Sequence, residues 1–149
     1  MSESIQVTLT VTNGAYSIAD VVGGLITLPN MAGNKGRGAV INSIKLAGVV
    51  AIPYELWFFN ADIATPAADN AAFTIVAADE AKILGVISIM AADYYAAQSA
   101  FNVACLRQVG LAVQAAAGST TIYAYLKATA ATSPGTTELH LTVDFEYLD

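Results

Sequence analysis

The sequence predicts an all-β fold, an antiparallel β-sandwich of the jelly-roll type with about eight to ten strands. Three observations support this prediction. Both ends of the chain alternate apolar and polar residues with the period of two that is typical of a half-buried strand. Short segments containing Gly, Pro, Asn and Asp separate the apolar runs. An aromatic run between them has the pattern of a strand covered on both faces.

The aromatic run, residues 54–60, contains the only tryptophan and an adjacent pair of phenylalanines. Large aromatic side chains bury the most apolar area and dominate protein cores. Alternation makes one face of this strand fully apolar and the other mostly so. The first face carries Tyr54, Leu56 and Phe58, and the second carries Glu55, Trp57 and Phe59. Because Pro53 cannot donate to a β-ladder, it fits the start of the strand. We therefore predict a central strand.

The first half of the chain supplies three further predicted strands. Residues 5–11 alternate Ile, Val and Leu with Gln and Thr, so the apolar side chains should face inward and the threonines outward. A second strand is predicted over 21–28, where Gly23 and Gly24 indicate a bulge, a bend or a close backbone approach. A third is predicted over 40–50.

The second half continues the pattern. Further strands are predicted over 73–76, 86–90, 121–127 and 139–147. Residues 79–84 should form one helical turn, with acidic side chains at its beginning. Residues 101–114 fit either a hairpin or one long kinked strand. The first and last strands should pair with each other or with a neighbouring subunit, and the whole chain, 1–149, should form one domain without internal repeats.

The composition limits the classes of function. Hydrophobic residues make up 56% of the 149 residues and charged residues 12%, against about 25% charged in ordinary soluble domains. We therefore expect much of the surface to be buried in an assembly; the alternative is a monomer with a neutral, Ala-rich surface. The net charge of −6 disfavours nucleic-acid binding, which needs a basic surface.

Membrane insertion and secretion are not expected either. A membrane-spanning helix needs about 20 consecutive apolar residues, and the uncharged stretch 108–126 is interrupted by Gln114 and by 118–121. The first four residues, Met1 to Ser4, lack the basic region of a secretory signal. We therefore predict a protein that is made and assembled inside a cell.

A glycine-rich loop at 32–39 carries Lys35 and Arg37, two of the six basic residues. The phosphate-binding pattern G-x-x-x-x-G-K-[ST] is absent, because no Ser or Thr follows the lysine. Two interpretations remain, a loop whose cations meet an acidic neighbour and a solvated hairpin loop. On the first interpretation, Lys35 and Arg37 are candidate interface residues.

A longer loop at 61–70 contains Asp62, Asp69 and Asn70, whose side-chain oxygens are metal ligands in principle. Their spacing lacks the order of a calcium-binding loop, and local Asx turns account for them. We predict no metal site and no cofactor. Downstream, Tyr94 and Tyr95 lie in a polar-aromatic corner, which is typical of an interface but also of packing at a sheet edge.

Residues that could carry catalysis are scarce. The only cysteine, Cys105, excludes an internal disulfide and is predicted to pack in the core as a small hydrophobe. The only histidine, His140, shares the polar face of the last strand with Asp144 and Glu146, which is typical of a solvated residue. The motifs H-E-x-x-H, C-x-x-C and G-x-S-x-G are absent. We therefore predict that the protein is not an enzyme.

Three stretches read together resemble small structural proteins of tailed bacteriophages. They are 16–25 (YSIADVVGGL), 54–62 (YELWFFNAD), and 69–73 (DNAAF) with 84–89 (LGVISI). The resemblance implies a β-sandwich decoration, or cement, protein that binds the outer face of an icosahedral capsid, often as a homotrimer. Its implied partners are further copies of itself and the major capsid protein, its implied location is the virion, assembled in the host cytoplasm, and it implies no catalytic residues.

Two other functions compete with this one. A tail or spike component would contact the host surface, and its aromatic loop residues would stack on sugars. Tyr94, Tyr95 and the loop 62–70 would be the candidates. A small hydrolase on the same scaffold ranks last, because the sequence selects no pair of catalytic side chains.

Overall fold

A computed structural model describes residues 2–33, 37–98 and 101–148. These residues form nine strands, a number within the predicted range. The strands are β1 (Ser2–Thr10), β2 (Val21–Leu28), β3 (Ala39–Gly48), β4 (Tyr54–Phe59), β5 (Ile83–Ile89), β6 (Tyr94–Gln98), β7 (Phe101–Val113), β8 (Ile122–Ala128) and β9 (Glu138–Tyr147). Two short 3₁₀ helices, Ala77–Lys82 and Ala91–Asp93, precede β5 and β6.

The strands form two antiparallel sheets, as expected for a β-sandwich. Sheet I has five strands in the order β1-β9-β3-β7-β6, and sheet II has four in the order β2-β8-β4-β5. The terminal strands pair with each other, one of the two predicted arrangements. Their register runs from Ser2 opposite Glu146 to Thr10 opposite Glu138 without a shift.

The main core lies between the two sheets. Each strand contributes alternate side chains to it, because successive residues of a strand face opposite sides. Sheet I supplies Ile44, Leu46, Leu141, Val143 and Phe145, and sheet II supplies Ile26, Leu56, Phe58, Ala124 and Leu126. The inward residues Ile5, Val7 and Leu9 of β1 join this core, as the alternation at the start of the chain predicts.

Strand β4 lies inside sheet II, between β8 and β5, and both of its faces are covered, as predicted. One face belongs to the main core. The other belongs to a second apolar cluster on the outside of sheet II, in which Phe59 and Tyr125 are fully buried. Residues 60–82, here called the cover segment, lie over that outer face and contribute Ile63, Ala67 and Phe73.

Glycines mark an interruption in β2, as the sequence predicts. Gly23 and Gly24 have φ angles of +86° and +72°, and the register against β8 shifts between Val22 and Ile26. A Cβ atom added to Gly23 would lie 2.9 Å from Cβ of Leu9. The glycine therefore permits both the left-handed backbone and the close approach of β1.

Residues 101–114 form one long interrupted strand, β7, and not a hairpin. Gln108 and Gly110 have φ angles of +57° and +67°. The pairing of β7 with β3 shifts register between Ile41 and Ser43. Two left-handed residues thus kink the strand while β7 stays paired with β3 on both sides of the kink.

One prediction of local structure was wrong, and another was right with shifted bounds. Residues 73–76 form no strand; nearby, Ala72 makes one isolated bridge to Asp20. Their alternation instead directs Phe73 and Ile75 into the second apolar cluster. The predicted helical turn exists as the 3₁₀ helix Ala77–Lys82. It begins two residues earlier than predicted, and it ends at Lys82 because Ile83 already belongs to β5.

The prediction that Cys105 packs in the core was also wrong. Ala104, its neighbour on β7, is fully buried and faces the core. Because side chains alternate along a strand, Cys105 is directed to the outer face of sheet I. There it lies opposite Lys45 and is only half-buried.

Candidate functional site

The outer face of sheet I carries the largest ordered array of surface side chains among the described residues. We call it the open face. Strand register aligns its side chains in three rows across the sheet. The rows are Thr8–His140–Ala47–Val103–Tyr95, Gln6–Thr142–Lys45–Cys105 and Ser4–Asp144–Ser43–Arg107. Most of these side chains are hydroxyl-bearing, amide or small, and such residues suit the exposed face of an antiparallel sheet.

The few ionisable groups on the open face have polar neighbours within the sheet. Oδ2 of Asp144 accepts a hydrogen bond of 2.6 Å from the hydroxyl of Ser43. This bond, helped by Ser4 and by the charge of Lys45, outweighs burial and lowers the pKa of Asp144. Nδ1 of His140 lies 3.3 Å from the hydroxyl oxygen of Thr8. The histidine is therefore placed among polar side chains, as the sequence suggested.

Towards β6 the open face becomes apolar. Tyr95 is 69% exposed and Phe101 is 44% exposed, and Val103 lies opposite Tyr95 in the register. Tyr95 also lines a shallow depression of about 630 Å³ together with Cys105 and Arg107. Arg107, which the sequence analysis did not single out, thus lines the same depression as an exposed aromatic residue. Arg107 is two residues after Cys105 on β7 and two such residues share a face of the strand; this alternation is the sequence signal that could have identified Arg107.

The two predicted interface tyrosines point to opposite sides of the sheet. Tyr95 is exposed, whereas Tyr94 packs against the main core. Burial, and secondarily the charge of Asp93, raises the pKa of Tyr94. Its hydroxyl is buried and has no hydrogen-bond partner among the described residues. Both residues lie on β6, the edge strand of sheet I. Because neighbouring side chains of a strand face opposite sides, only Tyr95 lies on the surface.

Of the two basic residues in the predicted cationic loop, Arg37 lies far from Tyr95. Lys35 is outside the described residues, and Arg37 is exposed just before β3 begins. Tyr95 aligns with Ala47 near the other end of β3, eight residues from Ala39. At a rise of about 3.3 Å per residue this separation is roughly 26 Å. The structure therefore does not bring Arg37 and Tyr95 together.

Asp69, whose oxygens are metal ligands in principle, accepts three hydrogen bonds from protein donors. Its Oδ1 accepts hydrogen bonds from the hydroxyl of Tyr16 at 2.6 Å and from the backbone N–H of Gly23 at 2.7 Å. Its Oδ2 accepts one from the hydroxyl of Thr12 at 2.7 Å. Burial alone would raise the pKa of Asp69, but these bonds outweigh it and lower the pKa. Burial and the nearby carboxylate raise the pKa of Tyr16 to about 12.

Asp79, which the sequence analysis did not select as a key residue, links the beginning of the cover segment to the 3₁₀ helix at its end. Its side chain is fully buried, and its Oδ1 accepts hydrogen bonds from Ala64 N–H at 2.8 Å and from Lys82 Nζ at 3.2 Å. Its Oδ2 accepts one from Val76 N–H at 3.1 Å. Burial opposes ionisation, but these bonds and the charge of Lys82 lower the pKa of Asp79.

Asp62 is likewise engaged by protein groups. Its Oδ1 accepts hydrogen bonds of 2.8 Å from the backbone N–H of Ile63 and from the hydroxyl of Tyr125. The bond to Ile63 is local, whereas Tyr125 reaches it from the outer face of sheet II. Within residues 2–33, 37–98 and 101–148, no group of three or more His, Cys, Asp or Glu side chains is arranged to hold a metal ion.

Comparison with known proteins adds no relative. No protein-family model matches the chain, and no curated protein matches it at a significant level of similarity. None of the helices in the described part of the chain has the length and apolar character needed to cross a bilayer.

Proposed function

We propose that this chain is a non-enzymatic virion structural protein, a capsid decoration protein that binds the outer head surface of a bacteriophage and stabilises it. The observation that carries the proposal is the open face of sheet I. It is broad, and in its three rows neutral polar, small and apolar side chains outnumber the ionisable Lys45, Arg107, His140 and Asp144. Neutral side chains cost little to desolvate when another protein covers them, and Asp144 keeps its hydrogen bond to Ser43.

The dimensions of the open face suit a protein partner. Five strands at a spacing of about 4.8 Å give a width of roughly 19 Å, and ten residues of β9 give a length of roughly 33 Å. The product is about 600 Å². A stable interface buries about 800 Å² on each partner, so the open face and a few surrounding residues would suffice.

The rest of the molecule suits a rigid scaffold. Asp62, Asp69 and Asp79 use their oxygens to bind backbone and side-chain donors. General acid–base catalysis needs carboxylates that can exchange protons with a substrate, and these three are held by the fold instead.

Binding to many shell sites would stabilise a capsid by mass action. A ligand present at 100 times its dissociation constant stabilises the bound state by about 2.7 kcal/mol per site. Purified capsids that lack the protein should therefore melt at a lower temperature and burst more readily on osmotic shock than complete ones. Identical melting and shock resistance would refute the proposal.

A matched pair of variants tests whether the open face is the docking surface. Thr142 lies in its central row, and Thr65 is exposed on the cover segment, over sheet II. Thr142→Lys should lower capsid occupancy at least about tenfold, because it sets a second ammonium opposite Lys45 and buries it without a partner under the docked protein. Thr65→Lys should leave occupancy unchanged. Equal binding of the two variants would show that another surface docks.

The loop around Arg37 gives a separate test. We expect Lys35→Glu combined with Arg37→Glu to weaken particle binding, because it reverses two charges in a loop where Arg37 is exposed. Occupancy is measured by sedimenting capsids with the labelled protein. Unchanged occupancy would show that this loop takes no part.

One observation favours the second candidate function, a tail or spike component that binds host-surface carbohydrate. Exposed Tyr95 lines a depression together with Arg107, and a sugar ring can stack on an exposed aromatic face of this kind. Electron microscopy of labelled virions separates the two functions. Label across the head supports decoration, and label at the tail supports the spike.

A further inference from the structure

The four outer edges of the two sheets differ in how they are protected. Strand β2 is bulged, and its Val21 is hydrogen-bonded by Asn70 and Ala71. Strand β6 has only five residues, and β5 breaks register against β4 at Phe59. Bulges, short length and covering segments are the usual means by which sheet edges avoid pairing with other chains.

Strand β1 is neither bulged nor short. It is nine residues long and pairs with β9 without a register shift. It contains no proline or lysine, and Glu3 is its single charged residue. Within the described residues no strand is hydrogen-bonded to its other edge, although β2 of sheet II comes close to it at Leu9. A long, regular edge of this kind is a template for adding a further strand.

We propose that a second copy of this chain occupies the β1 edge, with the two β1 strands antiparallel about a two-fold axis at Gln6. Side chains on the same face must lie opposite each other, and only pairing centred on Gln6 gives every residue of Ser2–Thr10 a partner within the strand. The pairs are then Ser2–Thr10, Glu3–Leu9, Ser4–Thr8, Ile5–Val7 and Gln6–Gln6.

This register is self-complementary. On the outer face it sets hydroxyl groups opposite each other in the Ser4–Thr8 pairs, which are favourable cross-strand partners. On the inner face it sets Ile5 opposite Val7, and both side chains are only half-buried in the single chain. The two Glu3 residues lie six positions apart across the axis, about 20 Å, so no like charges meet.

The consequence is a continuous ten-stranded sheet whose two open faces lie side by side. This contact concerns the free protein, so failure to bind capsids would leave it unaffected. It also differs from the trimer that the resemblance implies, because a two-fold contact closes with two copies. The mass of the particle in solution separates the two arrangements.

The first experiment measures that mass for the full 149-residue chain by light scattering and sedimentation over a range of concentrations. Twice the mass of one chain is expected, with dissociation on dilution. A mass that stays at one chain at all concentrations would overturn the proposal, and so would a trimer that the β1 variants below do not alter.

Charge variants test the register. S4K/T8K sets a lysine opposite a lysine in both Ser4–Thr8 pairs, whereas S4K/T8E sets each lysine opposite a glutamate. Like charges directly opposite destabilise a strand pair and opposite charges stabilise it. We expect S4K/T8K to weaken dimerisation about tenfold relative to S4K/T8E. Equal dissociation constants would refute this pairing.

Cross-linking tests the position of the axis independently of affinity. In a Cys105→Ser background, Gln6→Cys should be joined between copies by a short bismaleimide, because Cβ atoms opposite each other lie about 5 Å apart. Thr10→Cys should not, because the two Thr10 residues lie about 27 Å apart. Equal cross-linking of both variants, or of neither, would overturn the proposal.

Discussion

The two outer faces of this sandwich are treated in opposite ways. The outer face of sheet II carries aromatic side chains, among them Trp57, Phe59 and Tyr125, and the cover segment buries them. The outer face of sheet I carries mostly polar side chains, such as Thr142 and Lys45, and within the described residues no segment covers it. The side chains at alternate positions thus decide whether a face needs its own cover or remains available for a partner.

Two kinds of interaction hold the cover segment. Phe73 packs against Trp57 and Tyr125, with ring centroids 5.3 and 5.6 Å apart. Two carboxylates of the segment also hold it in place. Asp69 accepts a hydrogen bond from the backbone of Gly23 in β2, and Asp79 in the 3₁₀ helix accepts one from the backbone of Ala64. Removing either kind of interaction should loosen the cover segment and expose the outer face of sheet II.

The largest effect is expected at the covered face itself. Phe59→Ala removes a fully buried ring that contacts Trp57, Phe73 and Tyr125. It should lower the free energy of unfolding by about 3–5 kcal/mol. Urea titration followed by circular dichroism measures this change. The matched control on the open face, Tyr95→Ala, should cost less than about 1 kcal/mol, and equal losses would contradict the contrast between the faces.

Loss of one carboxylate that anchors the cover segment should have the next largest effect. Asp69→Ala leaves the hydroxyl of Tyr16 and the N–H of Gly23 without their acceptor. The expected loss is about 2–3 kcal/mol, because unsatisfied part-buried donors are costly. Asp69→Asn keeps one acceptor oxygen and should lose less. If calorimetry finds the two variants equally stable, the hydrogen bonds are not what holds this position.

Acid should weaken the protein through the same carboxylates. Asp69 and Asp79 have pKa values lowered in the folded state, against about 3.9 in the unfolded chain. Their contribution is therefore complete above the unfolded pKa and is lost as pH falls through the lowered folded values. The urea concentration at the unfolding midpoint, measured between about pH 2 and 6, should therefore decrease as the pH is lowered.

A matched pair of variants assigns that acid sensitivity. Asp69→Asn combined with Asp79→Asn should reduce the dependence of the midpoint on pH, because neither amide titrates; Asp144, whose pKa is also lowered, keeps the rest. Glu80→Gln removes an exposed carboxylate from the same 3₁₀ helix and should leave the dependence unchanged. A slope as steep in the double variant as in the parent would assign the acid sensitivity to other groups.

The smallest effect is expected on the open face. Thr142→Val replaces an outward-facing side chain between Gln6 and Lys45. Surface substitutions of this kind change stability by no more than about 0.5 kcal/mol, and valine suits a strand. A loss above about 1 kcal/mol by thermal unfolding would mean that this face already makes stabilising contacts in the free protein.

Much of the fold is predictable from local patterns. Large apolar residues on both alternating faces of 54–59 identify a strand buried on both sides, and the pair Gly23–Gly24 indicates an irregularity in β2. Local patterns do not reveal which segment covers sheet II, because that choice depends on distant contacts. The hydrogen bond between Tyr16 and Asp69 spans 53 positions of the sequence.

The wrong predictions share a physical cause. In 73–76, alternating side chains enter an apolar cluster although the backbone pairs with no strand. Around Cys105, both faces of β7 carry apolar residues, so the sequence does not say which face is inward. The candidate site was likewise only partly predictable, because strand register, and not sequence proximity, brings Tyr95 and Arg107 to one depression.

The partly buried position of Trp57 has a practical consequence. It is the only tryptophan, its ring lies 5.3 Å from Phe73 of the cover segment, and the ammonium of Lys127 lies 5.6 Å from its centre. Its fluorescence therefore comes from one place, the boundary between sheet II and the cover segment. A red shift of the emission at a denaturant concentration where the sheets persist would report lifting of this segment in a single cuvette, without any label.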